Sequence, residues 1–278
     1  SGGAPRPIVI AITGTNGKTT TTTLLGEMVK ATGLDGVVAG NISPAALDVL
    51  MARQDAAQAL PAAWVLELSS FQLETSPALQ AVSATVLNVT DDHLDRYSGL
   101  DEYAATKAAV FQGEGVQVLN RQDVRVAAMA RPGRRIFTFG VDAPAGADDF
   151  GVIDGADGDW LARGSDKLLR RSELPLAGSH NVANALAALA LGEAAGLPRA
   201  PMVAALKAFR GLPHRVEKVA ERSDGVTYYD DSKGTNVGAT VAALEGLRRK
   251  VILIAGGDGK GQDFSPLKEA FARYARAV

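Results

Sequence analysis

The β-branched run Ile8 to Thr13 breaks at Gly14-Thr15-Asn16-Gly17-Lys18-Thr19 and passes at once into a helical pattern, Lys18 to Thr32. A buried strand, a glycine-containing turn and a helix in immediate succession leave few folds open. The strand must lie inside a sheet and the helix must pack back over it. The turn itself carries chemistry. Glycines let backbone N–H groups point inward around phosphate oxygens, the helix start adds a favourable dipole, Lys18 supplies a point charge, and the Thr19 hydroxyl can ligate Mg²⁺. The spacing departs from G-x-x-x-x-G-K-[ST], which wants glycine where this chain has Ile12, so the loop is a shorter variant opening at Gly14. Of the run Thr19 to Thr23, only Thr19 is needed for this chemistry, and the rest reads as packing and capping.

The same rhythm continues. Buried strands are predicted at Val65 to Leu68, Ala84 to Val89, Val116 to Leu119 and Arg135 to Phe139, with helices near Pro44 to Arg53 and Asp101 to Gln112 between them. Alternation of this kind implies an α/β fold with a mostly parallel sheet and helices on its faces, and the local chemistry of the Gly14 to Thr19 turn makes a phosphate-loop ATPase domain of it. Asp142 to Gly164, dense in glycine and aspartate, reads as a small β excursion. Helical periodicity returns at Asn181 to Ala195 and Pro201 to Phe209, after which Gly211-Leu212-Pro213 forms a breaker suited to a domain joint. Beyond it come a strand at Thr227 to Tyr229, a helix near Val237 to Leu247, the apolar run Val251 to Ala255 and a last helical pattern, Ser265 to Val278. The expected division is a leader and linker over 1–7, a central ATP-binding domain over 8–211 and part of a Rossmann-like α/β domain over 212–278. The 278 residues fit two domains at roughly 150 residues each.

Composition excludes whole classes. With 29 basic and 31 acidic residues the formal net charge is -2, so no global field draws the chain to nucleic acid or anionic lipid. The absence of cysteine removes disulfides, thiolate zinc sites and a cysteine nucleophile, and fits a reducing compartment. No apolar run approaches the roughly 20 residues of a membrane span, and the start lacks the order of a signal peptide. A cytoplasmic monomer is expected.

Other candidates cluster after predicted strands, where ligands of open α/β sheets bind. Glu67 ends one strand and is placed to hold a metal, while Glu74 reads as a solvated helix charge. Asn88-Val89-Thr90-Asp91-Asp92-His93-Leu94-Asp95 follows another: His93 suits a metal or an oxyanion, and the three aspartates suit capping and turns equally well. Lys107 shares a helix face with Tyr103 and Phe111. A lysine there either snorkels to water or, desolvated, loses its proton more easily and becomes open to modification, and the pattern leaves both readings standing.

With these stretches assembled the chain resembles the Mur ligase family. The resemblance is carried in order by Gly14 to Thr19, Gly40-Asn41-Ile42, Glu67 to Glu74, Asn88 to Tyr97, Gly178 to Asn184, Leu212-Pro213-His214-Arg215, Asp231-Ser232-Lys233-Gly234-Thr235-Asn236 and Gly256 to Lys260. Asp231-Ser232-Lys233 together with Ser69-Ser70-Phe71-Gln72-Leu73-Glu74 favours the branch that adds D-glutamate to UDP-N-acetylmuramoyl-L-alanine, a step of peptidoglycan precursor synthesis that serves cell-wall growth, cell shape and cell division. The resemblance implies an ATP site at Gly14, Thr15, Asn16, Gly17, Lys18, Thr19 and Thr20, completed by Asn181, Asn184, His214, Arg215 and Asp231. It implies one Mg²⁺ on Thr19 and Glu67, a second on His93, and a CO₂-derived carbamate on Lys107 beside them. Asn41, Ser69 and His93 would face the UDP-muramoyl substrate, and Lys233, Thr235 and Lys260 the phosphate and D-glutamate. Lys18, Glu67, His93, Lys107 and Lys233 form the implied catalytic set. The reaction implied runs through an acyl phosphate, which the D-glutamate amine then attacks.

Members of the family have three domains, of which this chain is expected to cover the central one and the start of the third. The uridine anchor and a later C-terminal segment would be missing, which predicts at most a weak nucleotide-binding or ATPase piece. Two other readings remain: a folylpolyglutamate synthase-like ligase, disfavoured by Asp231-Ser232-Lys233, and a non-catalytic nucleotide-binding module on the same core.

Overall fold

The computed structural model describes residues 6–91, 96–259 and 261–278. Strand β1 (Ile8–Thr13) lies where the β-branched run predicts, and its pleat sends Ile10 and Ile12 to one face of the sheet and Ala11 to the other, all buried. Helix α1 (Lys18–Ala31) forms despite its threonines, which have poor helix propensity. Packing overrides propensity here, because Leu24, Leu25, Met28 and Val29 all enter the core on the Ile10 face.

The alternation proceeds through β2 (Gly36–Gly40), α2 (Ala46–Asp55), β3 (Ala63–Glu67), α3 (Ser70–Glu74), β4 (Ser83–Val86), α4 (Leu100–Ala108), β5 (Val116–Asn120), α5 (Val124–Ala127) and β6 (Ile136–Phe139). Strands β7 (Asp149–Ile153), β8 (Trp160–Arg163) and β9 (Asp166–Arg170) extend it into one nine-stranded sheet of order β2-β3-β1-β4-β5-β6-β7-β8-β9. The sheet is parallel through β7 and antiparallel beyond it, so the glycine- and aspartate-rich stretch does supply a β excursion on an otherwise parallel α/β sheet. Helices α6 (Ser179–Ala194) and α7 (Arg199–Ala208) join α1 over the Ile10 face, while α3 and α4 cover the Ala11 face. After Gly211, β10 (Glu217–Glu221) and β11 (Thr227–Asp230) form an antiparallel pair, and α8 (Val237–Leu247) packs on α6. Strand β12 (Val251–Ile252), α9 (Leu267–Tyr274) and β13 (Ala275–Ala277) follow.

Several elements depart from the sequence reading, among them α5, β9 and β10, which it does not contain. Strand β2 is unforeseen because glycine bounds Val37-Val38-Ala39 at both ends and leaves an apolar run too short to mark a strand, yet it pairs in parallel with β3. Strand β4 stops at Val86 rather than Val89, since Asn88 leaves the ladder to bond the phosphate loop. The run Val251 to Ala255 gives only the two residues of β12. The last helix ends at Tyr274, because Ala275–Ala277 turns away to pair in parallel with β12. Among the described residues, no helix is long and apolar enough to cross a membrane.

Candidate functional site

Strand order reverses around β1, with β3 on one side and β4 on the other, which puts the turn after β1 at the crevice where open α/β sheets take ligands. Gly17 caps α1 with φ +84° and contributes no side chain, so the first N–H groups of the helix carry no side-chain cap. At that φ a side chain is strained, and a Cβ at Gly17 would also stand 2.4 Å from Asn184 Oδ1, so the position favours glycine. Lys18 curls back over the turn and donates from Nζ to the carbonyls of Gly14 at 2.9 Å and Thr15 at 2.8 Å. Thr19 accepts at its hydroxyl from Arg215 Nη2 at 3.0 Å.

Glu67 stands at the end of β3 in register with Ile12, and it is buried, 2% exposed. Its Oε1 accepts from Asn41 Nδ2 at 3.1 Å, while its Oε2, also buried, has no hydrogen-bond partner among the described residues. An ionised carboxylate oxygen left so in the interior is costly unless a cation meets it, and that oxygen-donor chemistry fits Mg²⁺. Lys107 is 1% exposed, which removes the snorkelling reading. Its Nζ donates to the Gly14 carbonyl at 3.1 Å and lies 4.3 Å from the centre of the Tyr103 ring. Both lysines therefore converge on one carbonyl of the phosphate loop.

A cavity of about 310 Å³ runs from Asn16, Gly17 and Thr20 past Asn181 and Asn184 to Arg215, Asp231 and Lys233. Asn181 donates to the Ala177 carbonyl at 2.7 Å and accepts from Asn184 Nδ2 at 3.3 Å. Burial pushes the Asp231 carboxyl up, against the opposing pull of the Val216 N–H and of Arg215. Burial likewise pushes the His180 imidazole down, with a hydrogen bond to the Ala242 backbone pulling the other way.

Other expected residues sit elsewhere. His214 is exposed, takes φ +63° and holds Asp230 Oδ2 at 2.6 Å from Nδ1 without lining the cavity. That bond, with those from Ser232, keeps Asp230 down at about 2. Ser69 caps α3, its Oγ accepting from the Gln72 N–H at 3.2 Å, and Thr235 is exposed off the cavity wall. Glu74 is exposed at the end of α3, as expected of a solvated helix charge, and accepts there from Arg96 and from the Tyr97 hydroxyl, each at 2.7 Å. His93 and Lys260, with Asp92 and Asp95, lie outside the described residues. Asn88, Asn120 and His180 line the cavity with no sequence-assigned role. Asn88 and Asn120 could have been suspected from their places at the carboxyl ends of β4 and β5.

The family described as "Mur ligase middle domain" matches residues 12–192, and "Mur ligase, glutamate ligase domain" matches 214–278. The UDP-N-acetylmuramoylalanine--D-glutamate ligase of Aromatoleum aromaticum is 68% identical over 97% of this chain and 58% of its own length. That of Nitrosomonas europaea is 58% identical over 99% of this chain and 59% of its own. The chain thus spans less than two thirds of the curated relatives it matches. The crystal structure of MurF from Acinetobacter baumannii shares the fold at a TM-score of 0.67 and 24% identity, over 86% of this chain and 53% of that one.

Proposed function

The chain belongs to the Mur ligase family, and from that premise we propose that it supplies the ATP-handling core of a ligase joining D-glutamate to UDP-N-acetylmuramoyl-L-alanine in peptidoglycan precursor synthesis. The observation that carries the reading is the one cavity shared by the phosphate loop, Asn181, Asn184, Arg215 and Asp231. The name borne by relatives 58% and 68% identical supports D-glutamate as the acceptor.

In this reading an oxygen of the terminal L-alanine carboxylate attacks the γ-phosphorus of ATP as the bond to the β–γ bridging oxygen breaks and ADP leaves. The D-glutamate amine then attacks the acyl carbon and gives up a proton, and inorganic phosphate departs as the amide forms. Lys18 moves from the Gly14 and Thr15 carbonyls onto the phosphoryl oxygens and neutralises their charge. Thr19 and Glu67 would hold one Mg²⁺, and His93 with a carbamate on Lys107 a second. Bound there, the ions supply further neutralisation of the charge spread over the transferred group. Asn41, Ser69 and His93 are read as contacts of the muramoyl substrate, Asn181, Asn184, His214, Arg215 and Asp231 as contacts of the nucleotide, and Lys233, Thr235 and Lys260 as contacts of phosphate and D-glutamate. We read 8–211 and 212–278 as the two domains of a cytoplasmic monomer.

The test uses a protein extended to the length of the relatives. ADP release should require UDP-N-acetylmuramoyl-L-alanine and D-glutamate together and fall by roughly 100-fold or more on Lys18→Ala. Release that ignores D-glutamate overturns the reading.

A further inference from the structure

Asn236 caps α8, its Oδ1 accepting from the Ala239 N–H at 2.8 Å. The same side chain reaches away from the helix: its Nδ2 donates to Asn16 Oδ1 at 2.9 Å, and Asn16 Nδ2 returns to Asn236 Oδ1 at 3.5 Å. Asn16 is held from the sheet side as well. Asn88 imitates a backbone strand, accepting from the Asn16 N–H at 2.8 Å and donating to the Asn16 carbonyl at 3.0 Å, while Thr90 Oγ1 accepts from Asn16 Nδ2 at 3.4 Å. The peptide of Asn16 is fixed by Asn88, and its side-chain oxygen is taken by Asn236.

We propose that Asn236 is a positioning residue, which registers the first turn of α8, and with it the Arg215 and Asp231 wall of the cavity, on the phosphate loop. The proposal rests on reading that loop as an ATP-phosphate site. Groups serving one phosphoryl transfer from two segments 220 residues apart need a fixed register, since a misplacement of about 1 Å costs roughly a hundredfold in rate. A neutral amide pair sets that register without adding a charge that competes with nucleotide phosphates.

Serine at 236 keeps a capping oxygen and is too short to reach Asn16. In the nucleotide-free chain, Asn236→Ser is expected to speed amide exchange at Asn16 and Gly17 by roughly tenfold while exchange within α8 and the melting temperature keep their parent values. Asn16→Asp retains the acceptor and should keep the parent exchange rate that Asn16→Ala loses. In Mg²⁺-ATP titrations, Asn236→Ser and Asn16→Ala should each weaken binding about tenfold, and the double variant no further than the weaker single one. Unchanged loop exchange in Asn236→Ser, a lowered melting temperature in that variant, or effects that multiply in the double variant overturn the proposal. A parent chain that binds no ATP defeats the ATP reading alone, and the exchange comparison still decides the role of Asn236.

Discussion

Arg215 Nη2 donates to the Thr19 hydroxyl at 3.0 Å, so a residue beyond the Gly211 break closes directly onto the first turn of the helix that follows the phosphate loop. The bond joins two segments across the cavity through one charged group. Arg215→Ala should weaken Mg²⁺-ATP binding about tenfold, or about 1.4 kcal/mol for a hydrogen bond with one charged partner. Arg215→Lys should recover little, because an ammonium lacks the planar reach of the guanidinium. Isothermal titration at fixed ionic strength measures both, and equal affinity in all three proteins would remove Arg215 from the site.

Glu67 sets function against stability. Its Oε2 is buried without a partner among the described residues, so Glu67→Gln should leave the ligand-free fold as stable as the parent or more stable by about 1 kcal/mol. The same change should weaken the Mg²⁺ dependence of ATP binding by tenfold or more, about 1.4 kcal/mol of lost cation contact. Urea unfolding alongside Mg²⁺ titrations checks the pair of outcomes, and a destabilised variant with normal Mg²⁺ dependence would contradict the assignment.

His180 gives the fold a pH dependence of definite sign. Burial lowers its pKa from the ordinary 6.5, so on acidification the unfolded chain takes up the proton first. The stability tied to the neutral imidazole is whole above pH 6.5 and is lost as pH falls from there towards the lower native value. Its ring stands against Gly178 and Gly246, whose added Cβ atoms would lie 2.8 and 2.9 Å from Nδ1. His180→Gln should therefore flatten the fall in unfolding free energy as pH drops below about 6.5, relative to the parent. Parallel curves in urea titrations across that range would show that His180 is not the group responsible.

The buried threonines of α1 predict a gain. Thr21 and Thr22 are fully buried, and their hydroxyls have no partner among the described residues. Replacing either with valine removes an unsatisfied oxygen at nearly constant volume and should stabilise the chain by about 1 kcal/mol, or about 2–4 °C in melting temperature. Calorimetry on the two single variants tests it, and a drop in both would mean that these hydroxyls hold partners after all.

Local pattern carried much of the fold. Strand β1 and helix α8 fall where β-branching and periodicity put them, because a run of Ile and Val or an apolar 3.6-residue repeat is itself the cause of the element. Strand β2 escaped for the converse reason: its glycines obey the pairing with β3, a partner remote in sequence. The site divides along the same line. Glu67 is legible because a carboxylate at the end of a buried strand is a local fact. Lys107 was ambiguous, since periodicity tells which face a lysine shares but not that the Gly14 carbonyl waits 93 residues away. The pairs Arg215–Thr19 and Asn236–Asn16, separated by 196 and 220 residues, leave no local trace at all.

The central claim is that the Gly14 to Thr19 turn handles the phosphates of ATP. Titrating Mg²⁺-ATP into this chain and into Lys18→Ala, with circular dichroism to confirm that both are folded, tests it most directly. The account predicts one Mg²⁺-dependent site in the parent, weakened by roughly a hundredfold or more in the variant. Binding that survives Lys18→Ala unchanged, or a folded parent that takes up no ATP, would contradict it.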